Sequence, residues 1–239
     1  MQLVAAVRTA LRPGFYAVLD RDDESLARQL VGPAGARVLQ VRLKPAPSAR
    51  SHLFPGDDIV RVARMARRVC NEAGARLIIN DRIDIALAVG ADGVHLGQTD
   101  IPLDVACGLV GTRLAIGVST HNLEQVERAA ALAPAYIAYG PIFATSTKQN
   151  PDPVRGITAL RAAVREAGSV PVVAIGGITP ATAARVFGAR ATAICAISAV
   201  NSAPDVAAAG QALRRRSPWL VNTGAYSVLR KYPAALQDE

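Results

Sequence analysis

Between residue 15 and about residue 216, short apolar runs alternate with segments in which apolar residues recur every three or four positions. The runs at 15–19, 37–41, 76–79, 93–96, 114–118, 135–139, 171–175 and 192–197 predict strands. The segments at 23–31, 57–73, 82–89, 102–110, 122–132, 155–167, 180–188 and 203–215 predict helices. In the second of these, Ile59, Val62, Ala63, Ala66, Val69 and Cys70 form one apolar stripe. The strand candidates are apolar throughout, as parallel strands covered on both faces are. Eight strand–helix units predict an α/β fold, a single (β/α)8 TIM barrel over 15–216. A doubly wound open sheet is the weaker alternative. It usually has fewer strands and a glycine-rich turn after the first, and here that turn is Asp20-Arg21-Asp22-Asp23. Residues 1–14 read as an N-terminal extension. Residues 217–239, with Trp219, Tyr226 and Tyr232, read as a C-terminal tail of unknown role, packed against the barrel bottom, reaching a second copy in a homo-oligomer, or disordered.

Composition narrows the partners. The chain has 239 residues, 51% hydrophobic and 19% charged, which describes a globular protein. With 4% aromatic residues, the core must be built from Ala, Val, Ile and Leu. Cys70, Cys107 and Cys195 are scattered and odd in number, as buried thiols in a reducing compartment are. No run reaches the length of a membrane span, and the start lacks a signal pattern, so a cytoplasmic location with no membrane partner is expected. The net charge of +8 invites a nucleic-acid reading. However, Arg61, Arg64, Arg67 and Arg68 are spread around a helix with no interleaved aromatics, so anionic small molecules fit better.

In such a barrel the chemistry sits just after each strand. The second strand ends Gln40-Val41-Arg42-Leu43-Lys44, where alternation puts Gln40, Arg42 and Lys44 on one side. The third ends Asn80-Asp81-Arg82 and the fourth continues to Asp100. Asp81 and Asp100 are either caps of the following helices or two carboxylates meeting over one Mg²⁺. His95 reads as a hydrogen-bonded core histidine, and His121 as structural more than acid/base. Ser119 closes the fifth strand as a ligand donor. Gly176-Gly177 after the seventh strand and Ile197-Ser198 after the eighth occupy the recurrent phosphate position of these barrels. The long loop in 139–156 carries Thr145, Ser146 and Thr147, followed by Lys148. That is one of three Lys in a chain with 24 Arg. Hydroxyls beside an ammonium suit a phosphate.

Six stretches resemble the thiamine-phosphate synthase family: 40–44, 77–82, 90–98, 117–119, 140–148 and 173–178, in order and at barrel spacing. The resemblance implies a transferase joining 4-amino-2-methyl-5-(diphosphooxymethyl)pyrimidine (hydroxymethylpyrimidine diphosphate) to a thiazole phosphate, with Mg²⁺ as cofactor. It implies that Gln40 and Ser119 contact the pyrimidine. Arg42, Lys44, Asn80 and Lys148 would hold the diphosphate, and Asp81 and Asp100 the metal. Thr145, Thr147, Gly177, Ile197 and Ser198 would hold the thiazole phosphate. Lys148, Arg42, Lys44 and Ser119 would assist the reaction, and closure of the 145–148 loop would exclude water. Leu43 departs from the acidic residue common in the family, and 189–195 is a less typical approach to the eighth strand. A thiazole tautomerase-like isomerase and a non-catalytic precursor-binding barrel are the rival readings.

Overall fold

The computed structural model describes residues 2–12, 14–43, 56–145 and 153–218. Eight parallel strands close into a barrel in chain order. They are β1 (Phe15–Leu19), β2 (Val38–Val41), β3 (Arg76–Asn80), β4 (Gly93–Leu96), β5 (Ala115–Thr120), β6 (Tyr136–Tyr139), β7 (Val172–Ile175) and β8 (Ala193–Cys195). Helix α1 (Gln2–Leu11) precedes β1. Helices α2 (Glu24–Val31), α3 (Gly56–Ala73), α4 (Ile83–Ala88), α5 (Leu103–Val110), α6 (Leu123–Ala131), α7 (Gly156–Glu166) and α8 (Ala183–Gly188) follow β1 to β7 in turn. Two helices, α9 (Ser198–Asn201) and α10 (Val206–Arg214), follow β8.

Every strand lies within two residues of its expected bounds. The reason is the double burial that made the runs apolar. Leu39, Leu77, Ile79 and Val94 point outward into the layer between sheet and helices. Val38, Ile78, Ala115 and Val173 point into the barrel. Two helices start later than their pattern suggests, for local reasons. The Thr182 hydroxyl accepts from the Thr179 amide (3.0 Å), holding 179–182 as a turn ahead of α8. Asp205 caps α10 by accepting from the Ala208 amide (2.8 Å).

The stretch read as an extension is structural. Val7 and Leu11 of α1 are fully buried in the interior cluster, and Arg8 donates to the carbonyl of Pro134 (2.8 Å) just before β6. The helix therefore plugs the N-terminal end of the barrel. At the same end, the buried Asp92 carboxylate accepts from Arg67 Nη1 (2.6 Å), Arg76 Nη1 (2.9 Å) and the Leu77 amide (2.8 Å). This cluster ties α3 to the starts of β3 and β4. Among the described residues, no helix is long and apolar enough to cross a membrane.

Burial alone would raise the Asp92 carboxyl, but the bonds from Arg67, Leu77 and Arg76 outweigh it and hold its pKa below the ordinary 3.8. The folded-state value lies under the unfolded one. The stabilisation is therefore complete above the unfolded value and disappears as pH falls through the folded one. Urea titrations are expected to show stability declining below about pH 4. The Asp92→Asn variant is expected to lose about 1–3 kcal/mol at neutral pH and to show a flatter acid limb.

Candidate active site

A cavity of about 570 Å³ opens at the C-terminal ends of the strands. Gln40, Arg42, Asn80, Asp81, Asp100, Ser119, Thr145, Gly177, Ile197 and Ser198 all line it. Every expected site residue among the described residues is thus brought to one place. Lys44, Thr147 and Lys148 lie outside the described residues. A second concavity of similar size, against α2 and α3, is crossed by exposed ion pairs such as Arg61–Asp22 (2.7 Å). Its lining is already neutralised and makes no comparable site.

The floor of the cavity is a chain of hydrogen bonds. Gln40 Nε2 donates to the Tyr16 hydroxyl (3.0 Å), which lies 2.7 Å from the Tyr136 hydroxyl. Tyr136 in turn meets His95 Nδ1 (3.0 Å), and His95 Nε2 meets Ser119 Oγ (2.8 Å). His95 is 8% exposed and bonded at both ring nitrogens, the core histidine its position suggested. Its ring stacks on Tyr136 at 5.6 Å. Gly117 makes this possible, since a Cβ there would lie 2.0 Å from the Tyr136 ring. Burial raises the pKa of Tyr16 well above its ordinary 10.0, and the charge and hydrogen bond of Tyr136 raise it further. Burial likewise raises Tyr136. Both phenols therefore keep their protons at neutral pH. The Gln40–Tyr16–Tyr136–His95–Ser119 sequence of contacts was not visible as a motif, because its members come from five strands.

One wall carries a buried cation and two carboxylates. Burial lowers the pKa of Arg42, against the opposing charges of Asp81, Cys195 and Asp20. No salt bridge neutralises it among the described residues. The helix-cap alternative for the two carboxylates does not hold. The N-cap of α4 is Arg82 and that of α5 is Pro102, neither with a side-chain cap bond. Asp81 instead sits at φ +63°, a left-handed conformation that costs a non-glycine residue energy and collects at functional sites. Asp100 Oδ2 accepts from the Gly97 amide (2.6 Å), which turns the carboxylate back toward the mouth. Two carboxylates on one cavity wall suit Mg²⁺, a hard cation usually held by one or two carboxylates plus substrate phosphates. Among the described residues no cluster of three or more His, Cys, Asp or Glu forms, so phosphate and water would complete the shell.

The opposite wall suits a phosphate. Gly176 (φ +97°) and Gly177 (φ +62°) follow β7, and Ile197 precedes the short helix α9. A short extra helix after β8 is the usual phosphate element of these barrels. Four residues carry no periodic pattern, so α9 escaped the sequence. The glycines also have a second reason to be there. A Cβ on Gly176 would lie 2.5 Å from Pro141 Cβ, and one on Gly177 would lie 2.2 Å from the Ala144 carbonyl oxygen. Their bareness admits the base of the 140–145 loop. His121, on the rim, has its Nδ1 2.7 Å from the Gly140 carbonyl and holds that same loop base.

The model of the family described as thiamine monophosphate synthase matches residues 3–200. The chain belongs to the thiamine monophosphate synthase family. Members of the family similar to it include the thiamine-phosphate synthase of Methanoculleus marisnigri, 42% identical over 82% of this chain and 88% of that one. That of Chloroflexus aurantiacus is 44% identical over 75% of this chain and 79% of that one. Among solved structures, the thiamine phosphate pyrophosphorylase of Pyrococcus furiosus superposes with a TM-score of 0.75 at 31% identity, covering 89% of this chain and 99% of that one. The protein is an enzyme of this kind, a transferase, and α1 falls inside the family match.

Asp81 gives this site a sharp test. Asparagine tolerates the left-handed region nearly as well as aspartate. Asp81→Asn is therefore expected to keep its unfolding free energy within about 0.5 kcal/mol of the parent. Thiamine phosphate formation is expected to fall roughly 10²-fold, the scale of losing one electrostatic contact to a developing charge.

Proposed function

We propose that this site joins 4-amino-2-methyl-5-(diphosphooxymethyl)pyrimidine to a thiazole phosphate, releasing diphosphate. What carries the reading is that a single cavity holds two anion-binding walls. Arg42, Asn80, Asp81 and Asp100 come from the ends of β2 to β4, and Gly177, Ile197 and Ser198 from the ends of β7 and β8. The barrel order puts these strands on opposite sides. Two phosphorylated substrates would thus be held with their uncharged rings between them. Gln40 and Ser119 lie along the floor beneath that space.

In the reaction, the thiazole nitrogen forms the new C–N bond with its lone pair. The C–O bond to diphosphate breaks, and its electron pair leaves with the diphosphate. No proton has to be removed, so the reaction asks for no general base. Mg²⁺ held by Asp81 and Asp100 would supply positive charge beside the diphosphate. Arg42 adds a fixed cation on the same wall, pre-oriented and partly shielded from water. Thr145 reaches the cavity from the loop base, and Thr147 and Lys148 beyond it are assigned by the family resemblance. The wall after β7 and β8 holds the nucleophile in place, the proximity contribution to such a displacement.

Incubating the purified protein with both substrates and Mg²⁺ is expected to yield thiamine phosphate, and EDTA is expected to stop it. Product that is indifferent to EDTA would overturn the metal assignment. Lys148→Ala is expected to lower kcat by roughly 10²-fold or more, with far-UV circular dichroism unchanged.

A further inference from the structure

The bonds beneath the cavity can be assigned a direction. Gln40 Nε2 is a donor only, so the Tyr16 oxygen accepts from it. The single proton of Tyr16 is then left for the Tyr136 oxygen, 2.7 Å away. The Tyr136 proton goes in turn to His95 Nδ1. A neutral imidazole with Nδ1 accepting carries its proton on Nε2, which donates to Ser119 Oγ. Ser119 is left with its own proton to give, and Gln40 with its carbonyl oxygen to accept. Burial keeps both phenols protonated at neutral pH.

We propose that the Tyr16–Tyr136–His95 relay locks the hydrogen-bonding polarities of Gln40 and Ser119 to each other, so that the cavity accepts a 4-aminopyrimidine and rejects its 4-oxo counterpart. The inference rests on the function proposed above. A 4-aminopyrimidine offers a ring-nitrogen acceptor beside an amino donor. In the 4-oxo ring the two are exchanged, with a ring N–H donor beside a carbonyl acceptor. Against the oxo ring, a fixed Ser119 donor and a fixed Gln40 acceptor would each face a group of their own kind. Such a mismatch in a buried site is far more discriminating than a difference of shape. Left alone, neither end would hold its sense, because a hydroxyl rotates and an amide flips to suit its partner. Tyr16, Tyr136 and His95 are thus positioning residues, and the relay gives the sequence a reason to spend two of its few aromatics inside the barrel.

The test compares two unreactive ligands, the monophosphates of the 4-amino and 4-oxo pyrimidines. Each is used as an inhibitor competing with the diphosphate substrate in the full-length enzyme with Mg²⁺. The parent is expected to bind the amino form at least tenfold tighter. Tyr136→Phe, which frees the His95 tautomer, is expected to reduce that preference at least fivefold. Tyr16→Phe is expected to reduce it as well, since it releases Gln40 and no longer fixes the sense of Tyr136. Should Tyr136→Phe not fold, His95→Leu replaces it, with His95→Gln as the variant expected to restore part of the preference. Weaker binding of both ligands with an unchanged amino-to-oxo ratio would make the relay merely structural and overturn the proposal. A parent enzyme that forms thiamine phosphate but shows no amino preference would do the same while leaving the function intact. A parent that forms no thiamine phosphate would instead overturn the function on which the proposal rests.

Discussion

The ring of Tyr136 lying directly on Gly117 is the contact on which the interior depends. A closed eight-stranded barrel must fill its inside with side chains, layer by layer. Below Tyr136 that filling is apolar: Val7, Leu11, Val38, Ile78 and Ala115. Above it lies a cavity lined with amides, hydroxyls and charges. A tyrosine suits the boundary because its body is apolar and its tip is not. The tip needs a partner once buried, and Tyr16 and His95 supply it. Without a bare backbone at 117 the ring could not lie flat enough to serve both halves.

From this boundary the two ends of the barrel take different tasks. The lower end is closed by α1 and by the Asp92 cluster, both of which join elements distant in sequence. The upper end carries little of the apolar packing and can afford strained or polar groups, such as Asp81 at positive φ. Strain of that kind persists only where the surroundings over-determine it. Here the Asp81 amide is tied to the His95 carbonyl of the neighbouring strand (2.8 Å), so the backbone is held by the sheet.

What the sequence disclosed follows the same division. The eight strands were legible because burial on both faces leaves an unbroken apolar run, and helices such as α3 because they keep one apolar stripe. The rim residues were legible because they follow those runs directly. Three things were not. Helix α1 buries its face inside the barrel instead of over a strand, so its ten residues read as an extension outside the strand–helix alternation. Helix α9 is too short to have a period. The polar relay joins residues up to 120 positions apart, and only the closed register brings them together. Asp81 lay between two readings, because a strand-terminal aspartate has the same local sequence as a cap. Backbone geometry removes the cap reading, with Arg82 taking the cap position.

Arg42 links the architecture to the chemistry. Its guanidinium is partly withdrawn from water, and burial pulls its pKa down, yet from an ordinary value of 12.5 it stays charged. Among the described residues such a cation has lost hydration without gaining an ion pair, since Asp81 and Asp20 act on it through their charge alone. On the function proposed above, anionic substrate would restore part of that loss on binding. More would be restored as the C–O bond stretches and charge gathers on the departing diphosphate. The interaction would then be stronger in the transition state than in the ground state, which is the condition for it to raise kcat as well as affinity. A fully solvated arginine on the same rim would bind diphosphate too, but water would already have met its charge, and the stretching bond would gain little from it.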